Sequence, residues 1–163
     1  MILPYQELME RGLRGELVEP FKIEMVNPAS IDICIGNTNI YRGVECDITG
    51  RTADNPIYLE PGAFMLVSTL ERLKVPLDCA MDLRLKSSRA RAGYDHALAF
   101  WFDPGWDGIG TLEIKNVGYD VLPIYSGLRI GQIIYRRLTE ACAKPYSGRY
   151  QAATSVEGAK SGN

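Results

Sequence analysis

The sequence predicts an all-β fold, a distorted barrel or jelly-roll-like sandwich carrying only short helices. Three observations point there. Short apolar runs of strand length recur along the chain, turn-forming pairs separate them, and a helical period is hard to find beyond the first dozen residues. The 163 residues suit one domain with a real core. An apolar share of 46% with 23% charged residues excludes a disordered tail, a collagen-like chain and a polar low-complexity region.

Taken in order, residues 4–12 read as a short helix, with Tyr5, Leu8 and Met9 on one face and Gly12 as its stop. Residues 30–35 alternate, Ile31, Ile33 and Ile35 on one side and Asp32 and Cys34 on the other. Further strands are expected over 57–59, 64–68, 80–85, 97–102, 109–114, 121–125 and 131–136. Turns fall at Asn55-Pro56, Pro61-Gly62, Asp103-Pro104-Gly105, Asp107-Gly108, Val117-Gly118 and Ser126-Gly127. The domain ends near residue 146. Residues 147–163 are rich in Gly, Ser, Ala and Thr and carry little to fill a core beyond Tyr150 and Val156. They are expected to form a flexible arm, either frayed or closing over a ligand.

Lysine plus arginine total 18 against 20 aspartate plus glutamate, a net charge of −2, so no broad face is built for a nucleic-acid backbone. The start, MILPYQELMERG, has no basic segment leading into an apolar run, and no stretch approaches the ~18 apolar residues of a membrane span. A cytoplasmic protein is expected, with neither nucleic acid nor membrane as partner. The four cysteines, at 34, 46, 79 and 142, form no C-x-x-C and read as reduced structural thiols. The one histidine, His96, has no matched nucleophile and reads as a structural or surface residue.

Arg84-Leu85-Lys86-Ser87-Ser88-Arg89-Ala90-Arg91 packs four cations and two hydroxyls into eight residues without an acid. It is either a solvated basic turn or an anion site, since arginine forks and serine hydroxyls suit phosphate oxygens. Asp103, leaving an apolar strand at the Pro104-Gly105 corner, is a turn residue or an acceptor for a sugar hydroxyl. In Thr111-Leu112-Glu113-Ile114 the strand period puts Thr111 and Glu113 on one face and the apolar pair on the other. Glu113 is then either exposed, or half-buried with the raised pKa that a general base requires. Ser87 and Ser88 lack the G-x-S-x-G context of an acyl-transfer nucleophile.

In their order and spacing these segments resemble the dCTP deaminase branch of the dUTPase-like superfamily. The resemblance runs from Met1-Ile2-Leu3 and 15–21 (GELVEPF) through Asn27-Pro28-Ala29-Ser30-Ile31-Asp32 and Pro61-Gly62-Ala63-Phe64. Its strongest pieces are 86–91 (KSSRAR) and 102–108 (FDPGWDG) running into 111–116 (TLEIKN), followed by 127–132 (GLRIGQ). It implies a dUTPase-like (β-clip) fold and hydrolytic deamination of dCTP to dUTP and ammonia, in pyrimidine deoxynucleotide (dUTP/dUMP) biosynthesis. It makes Glu113 the base that activates water, with Arg91 and Ser87 holding that water and stabilising developing charge. Nucleotide contacts are implied at Lys86, Ser87, Ser88, Arg89, Ala90, Arg91, Ala99, Asp103, Thr111, Leu112 and Glu113, and at Tyr146 and Arg149 of the tail. Asp103 takes the deoxyribose hydroxyl; Ala99 and Thr111 line the base pocket through their backbones. A homotrimer with active sites between subunits is implied, with magnesium accompanying the triphosphate, no protein ligand to a metal, and no zinc. Zinc deaminases use H-x-E with P-C-x-x-C, whereas His96 here is followed by Ala97-Leu98.

The sequence departs from that pattern in the stretch 92–102, one residue short, with Leu98 in place of a threonine. Ala153 replaces a glutamine in the tail, and Arg89 replaces an apolar residue. Two further readings therefore stand beside dCTP deaminase. One is a dUTP pyrophosphatase (dUTPase), or an enzyme joining both reactions. The other is a non-catalytic nucleotide-binding regulator on the same barrel. Glu113 favours deamination, because the dUTPase branch lacks a glutamate at this strand position.

Overall fold

The structure, a computed structural model, describes residues 1–97 and 99–161, so Leu98 lies outside the described residues. Helix α1 (Tyr5–Leu13) runs past Gly12. That glycine is a packing contact and not the stop: a Cβ there would come within 2.1 Å of the Phe21 ring, and the chain turns instead at Gly15, φ +71°. The buried face is Leu8, Arg11 and Gly12, while Tyr5 is exposed, which corrects the expected apolar face. Arg11 can sit there because carboxylates meet its guanidinium: Asp78 at 2.8 Å from Nη2 and Glu16 at 2.9 Å from Nε.

Strands follow as β1 (Val18–Glu19), β2 (Val26–Asn27), β3 (Ser30–Tyr41), β4 (Val44–Asp47), β5 (Ile57–Leu59), β6 (Phe64–Lys74) and β7 (Cys79–Leu85). After helix α2 (Ser87–Arg91) come β8 (Tyr94–His96), β9 (Trp101–Phe102), β10 (Asp107–Asn116), β11 (Leu122–Ile124) and β12 (Arg129–Arg137). The protein is thus mostly β, with the all-β architecture read from its sequence.

The main sheet runs β8-β10-β6-β3-β12-β7-β9, every named pair antiparallel; β5 and β11 form a separate ribbon. Its two edges, β8 and β9, are joined by only residues 97–100. Seven strands laid flat would hold their edges roughly 29 Å apart, at about 4.8 Å per step. Five extended residue steps, from 96 to 101, reach about 18 Å at most. The sheet must therefore curl until its edges approach, which makes the half-barrel. The core is the cluster inside that curl, including Ile31, Ile33, Val67, Met81, Leu112, Ile114, Ile133 and Tyr135.

Of the strand expected over 97–102, only Trp101–Phe102 (β9) is strand among the described residues, and β8 ends just before it at His96 on the opposite edge. β8 pairs with the end of β10, and β9 pairs with β7. β6 continues six residues beyond the expected 64–68 because Glu71 is accommodated inside, where its Oε2 accepts the Cys34 N–H at 2.9 Å. In β3 both faces are buried, so the alternation of 30–35 separates two interiors: Asp32 is buried opposite the isoleucines, in an ion pair with Lys86 at 2.6 Å. Asp107-Gly108, expected as a turn, opens β10.

Candidate active site

Between β10, β6, the segment that carries β9, and the tail lies a cavity of about 450 Å³. β10 supplies one wall. Its period of two sends Leu112 and Ile114 into the core and turns Thr111 and Glu113 to the cavity, with Leu66 of β6 directly across from Glu113. The crossing segment supplies another wall through Ala99, Trp101, Phe102 and Asp103.

Glu113 is half-buried, and its Oε2 is shut away from solvent without a hydrogen-bond partner among the described residues. Burial pushes its carboxyl above the usual carboxylate range. A buried acceptor that the fold leaves unoccupied, facing a cavity, is available to a ligand or a water.

Asp103 begins a tight turn: the Trp106 N–H donates to the Asp103 carbonyl at 3.1 Å, Pro104 presets the second position and Gly105 takes φ +86° at the third. Trp106 is buried and packs edge-to-face on Phe102 at 4.7 Å, which anchors the corner. The indole Nε1–H of Trp101 donates to Asp103 Oδ1 at 3.0 Å.

The tail forms the roof. The Ala152 N–H donates to the Asp107 carbonyl at 2.9 Å, and the Ala153 carbonyl accepts the Ile109 N–H at 2.8 Å. These bonds extend the sheet edge that β8 leaves free beside the first half of β10. Gly108 permits the approach, since a Cβ there would stand 2.9 Å from the Ala153 nitrogen. Farther on, the backbone N–H groups of Val156 and Glu157 donate to the Thr38 and Thr111 hydroxyls at 3.1 and 2.9 Å. Tyr146, Tyr150, Ala153 and Glu157 all line the cavity. Lys160 Nζ stands 2.8 Å from Glu157 Oε2, at an angle that makes no hydrogen bond.

Of the residues expected at the site, the structure brings together Ala99, Asp103, Thr111, Glu113 and Tyr146. Leu112 turns its side chain into the core, so only its backbone is near. Arg149 is not in the cavity wall; its Nη1 donates to the Lys160 carbonyl at 2.8 Å. Lys86, Ser87, Ser88, Arg89, Ala90 and Arg91 do not line this cavity within one chain. Lys86 is held by buried Asp32, which also accepts from Asn27 Nδ2 at 2.8 Å, and Arg89 Nε donates to the Arg129 carbonyl at 2.9 Å. Ser87, Ser88, Ala90 and Arg91 are exposed on α2, a short helix where a turn was read. His96 lies outside the cavity wall; it packs edge-to-face on Phe100 at 3.9 Å, and burial lowers its pKa. Sequence reasoning missed Trp101, Tyr150 and Glu157, for which aromatic or acidic character was the only signal.

A family model described as dCTP deaminase-like matches residues 2–138. A dCTP deaminase from Pyrococcus horikoshii is 36% identical over 140 residues, which cover 86% of this chain and 87% of that protein. A protein named "dCTP deaminase, dUMP-forming" from Methanoculleus marisnigri is 32% identical, over 93% of this chain and 88% of its own. Among solved structures, the 2′-deoxycytidine 5′-triphosphate deaminase from Agrobacterium tumefaciens shares the fold, with a TM-score of 0.70 at 22% identity over 84% of this chain. The chain spans about half that protein's length, 48%. The EIAV dUTPase superposes with a TM-score of 0.50 at 17% identity, over 74% of this chain and 84% of its own.

Proposed function

The chain belongs to the dCTP deaminase-like family, and on that premise we propose that it hydrolyses dCTP to dUTP and ammonia with Glu113 as the base. The observation that carries this reading is the half-buried Glu113, its Oε2 shut from solvent and unpartnered among the described residues, in the wall of a cavity of nucleoside size. Its ionised form takes a proton from water as the oxygen bonds to the amine-bearing ring carbon. The same carboxyl returns that proton to the amine as the carbon–nitrogen bond breaks, so one water enters and one ammonia leaves. Asp103 accepts the deoxyribose 3′-hydroxyl, and the backbones of Ala99 and Thr111 frame the base.

The triphosphate needs cations. Arg91 and its basic neighbours on and beside α2 supply them, with the Ser87 hydroxyl, from an adjacent subunit of a homotrimer, which accounts for their absence from this wall. Arg91 and Ser87 there hold the water and stabilise developing charge. Tyr146 and Arg149 belong to the arm that covers the phosphates, and magnesium enters with the triphosphate as part of the substrate. The protein is read as zinc-independent. That reading rests on the sequence, which lacks the H-x-E and P-C-x-x-C of zinc deaminases. It is also read as cytoplasmic; no helix among the described residues is long and apolar enough to cross a membrane.

A second reading, deamination followed by cleavage to dUMP and pyrophosphate, is favoured by the dUMP-forming relatives from Methanoculleus marisnigri and Leifsonia xyli. One assay separates the two. Protein given dCTP and magnesium, with products resolved by ion exchange, is expected to release ammonia with dUTP accumulating. Pyrophosphate and dUMP in equal amounts would establish the second reading. Retained nucleotide binding without turnover would leave a regulator.

A further inference from the structure

Trp101 is 56% exposed at the cavity wall, an uncommon place for so large an aromatic side chain. It is not core packing, so its place needs another explanation. In the extended backbone its side chain and that of Asp103, two residues on, share a side. The indole Nε1–H donates to Asp103 Oδ1 at 3.0 Å, while Asp103 Oδ2 takes no hydrogen bond among the described residues. From this geometry we propose that Trp101 is a positioning residue for sugar recognition: it fixes the Asp103 carboxylate so that Oδ2 is presented as the acceptor for the 3′-hydroxyl.

Asp103 is exposed at the start of a turn, where a carboxylate is otherwise free to rotate. Each rotamer lost on binding weakens the complex, and a carboxylate already held loses fewer. Indole suits the task because it is a donor only and has no proton to lose in the working pH range. It therefore holds one carboxylate oxygen without competing for the sugar's proton. A phenyl ring at this position keeps the apolar wall and removes only the donor.

The proposal rests on Asp103 being the sugar acceptor of the proposed deaminase. The test is calorimetric binding of dCTP and of 2′,3′-dideoxy-CTP, each with magnesium, to wild type and Trp101→Phe. The substitution is expected to weaken dCTP by about five- to tenfold and dideoxy-CTP by less than about twofold, since the lost bond is charge-assisted and acts through the 3′-hydroxyl alone. In turnover the loss falls on KM and not on kcat, and the thermal midpoint stays at the wild-type value. Equal weakening of both nucleotides, or of neither, overturns the proposal. Ammonia release by wild type is read separately. If it is absent while both nucleotides bind, the deaminase reading fails, and the two-nucleotide comparison still decides the role of Trp101.

Discussion

Glu71 and Glu113 are both glutamates that burial pushes toward the protonated form, yet their surroundings differ. Glu71 Oε2 accepts the Cys34 N–H inside the core, so it serves the fold; Glu113 Oε2 has no such partner among the described residues, and Glu113 lines the cavity. A carboxyl whose folded pKa lies above its unfolded value binds protons more tightly when folded. Its favourable contribution is present below the unfolded pKa and is lost as pH rises through the folded one. Ionising Glu113 therefore strains the fold. Glu113→Gln is expected to melt above wild type at pH 7, with the gap narrowing as pH falls toward the ordinary carboxylate range, as thermal denaturation across pH will read. A gap that is absent at pH 7 or widens in acid contradicts the assignment.

At the scale of elements, α1 is tied to the barrel by charge. Arg11 joins Asp78 and Glu16, and Arg137 of β12 pairs with Glu7 and Asp78. The Arg11 guanidinium is the first cause holding the Asp78 carboxyl below its usual range. Arg11 is nearly buried, so Arg11→Ala removes its pairs with Asp78 and Glu16 and the packing of its stem, while Arg137 and Arg14 still reach those carboxylates. A loss of about 2 kcal/mol is expected in urea denaturation; a loss under about 1 kcal/mol would show a mere surface pair. Such contacts also mark what was legible beforehand. Strands with one apolar face, such as the 111–114 stretch of β10, were read correctly down to which side Glu113 takes. Arg11, Glu71 and Asp32 were not, because a charged residue is burial-competent only once a distant partner is known: Asp78, the Cys34 amide, Lys86. That 97–102 carries only the two strand residues of β9, opposite the edge where β8 ends, was invisible for a similar reason. It follows from closing the sheet, which no local period encodes. Trp101 escaped notice because its partner lies within the turn whose residues explained themselves as a turn.

Across the whole molecule, the curl that closes the half-barrel brings the crossing segment against β10 and so makes the cavity. One chain then holds the proposed base Glu113, the proposed sugar acceptor Asp103 and the roof, while its cationic α2 lies outside the cavity wall. The proposed homotrimer joins α2 of one copy to the cavity of the next. Light scattering should then give about three times the 18.1 kDa chain mass. Arg91→Ala and Glu113→Gln, each inactive alone, should recover about a quarter of wild-type turnover when refolded together in equal amounts, because random mixing leaves that share of interfaces intact. No recovery would mean that both groups serve the same chain's site. The central claim, that Glu113 drives hydrolytic deamination in this cavity, meets its most direct test in ammonia release from dCTP by wild type and Glu113→Gln, with nucleotide binding measured on both. Release is expected from wild type and none above background from Glu113→Gln, with similar dCTP binding by the two. Ammonia release by Glu113→Gln at a rate near wild type would contradict that claim.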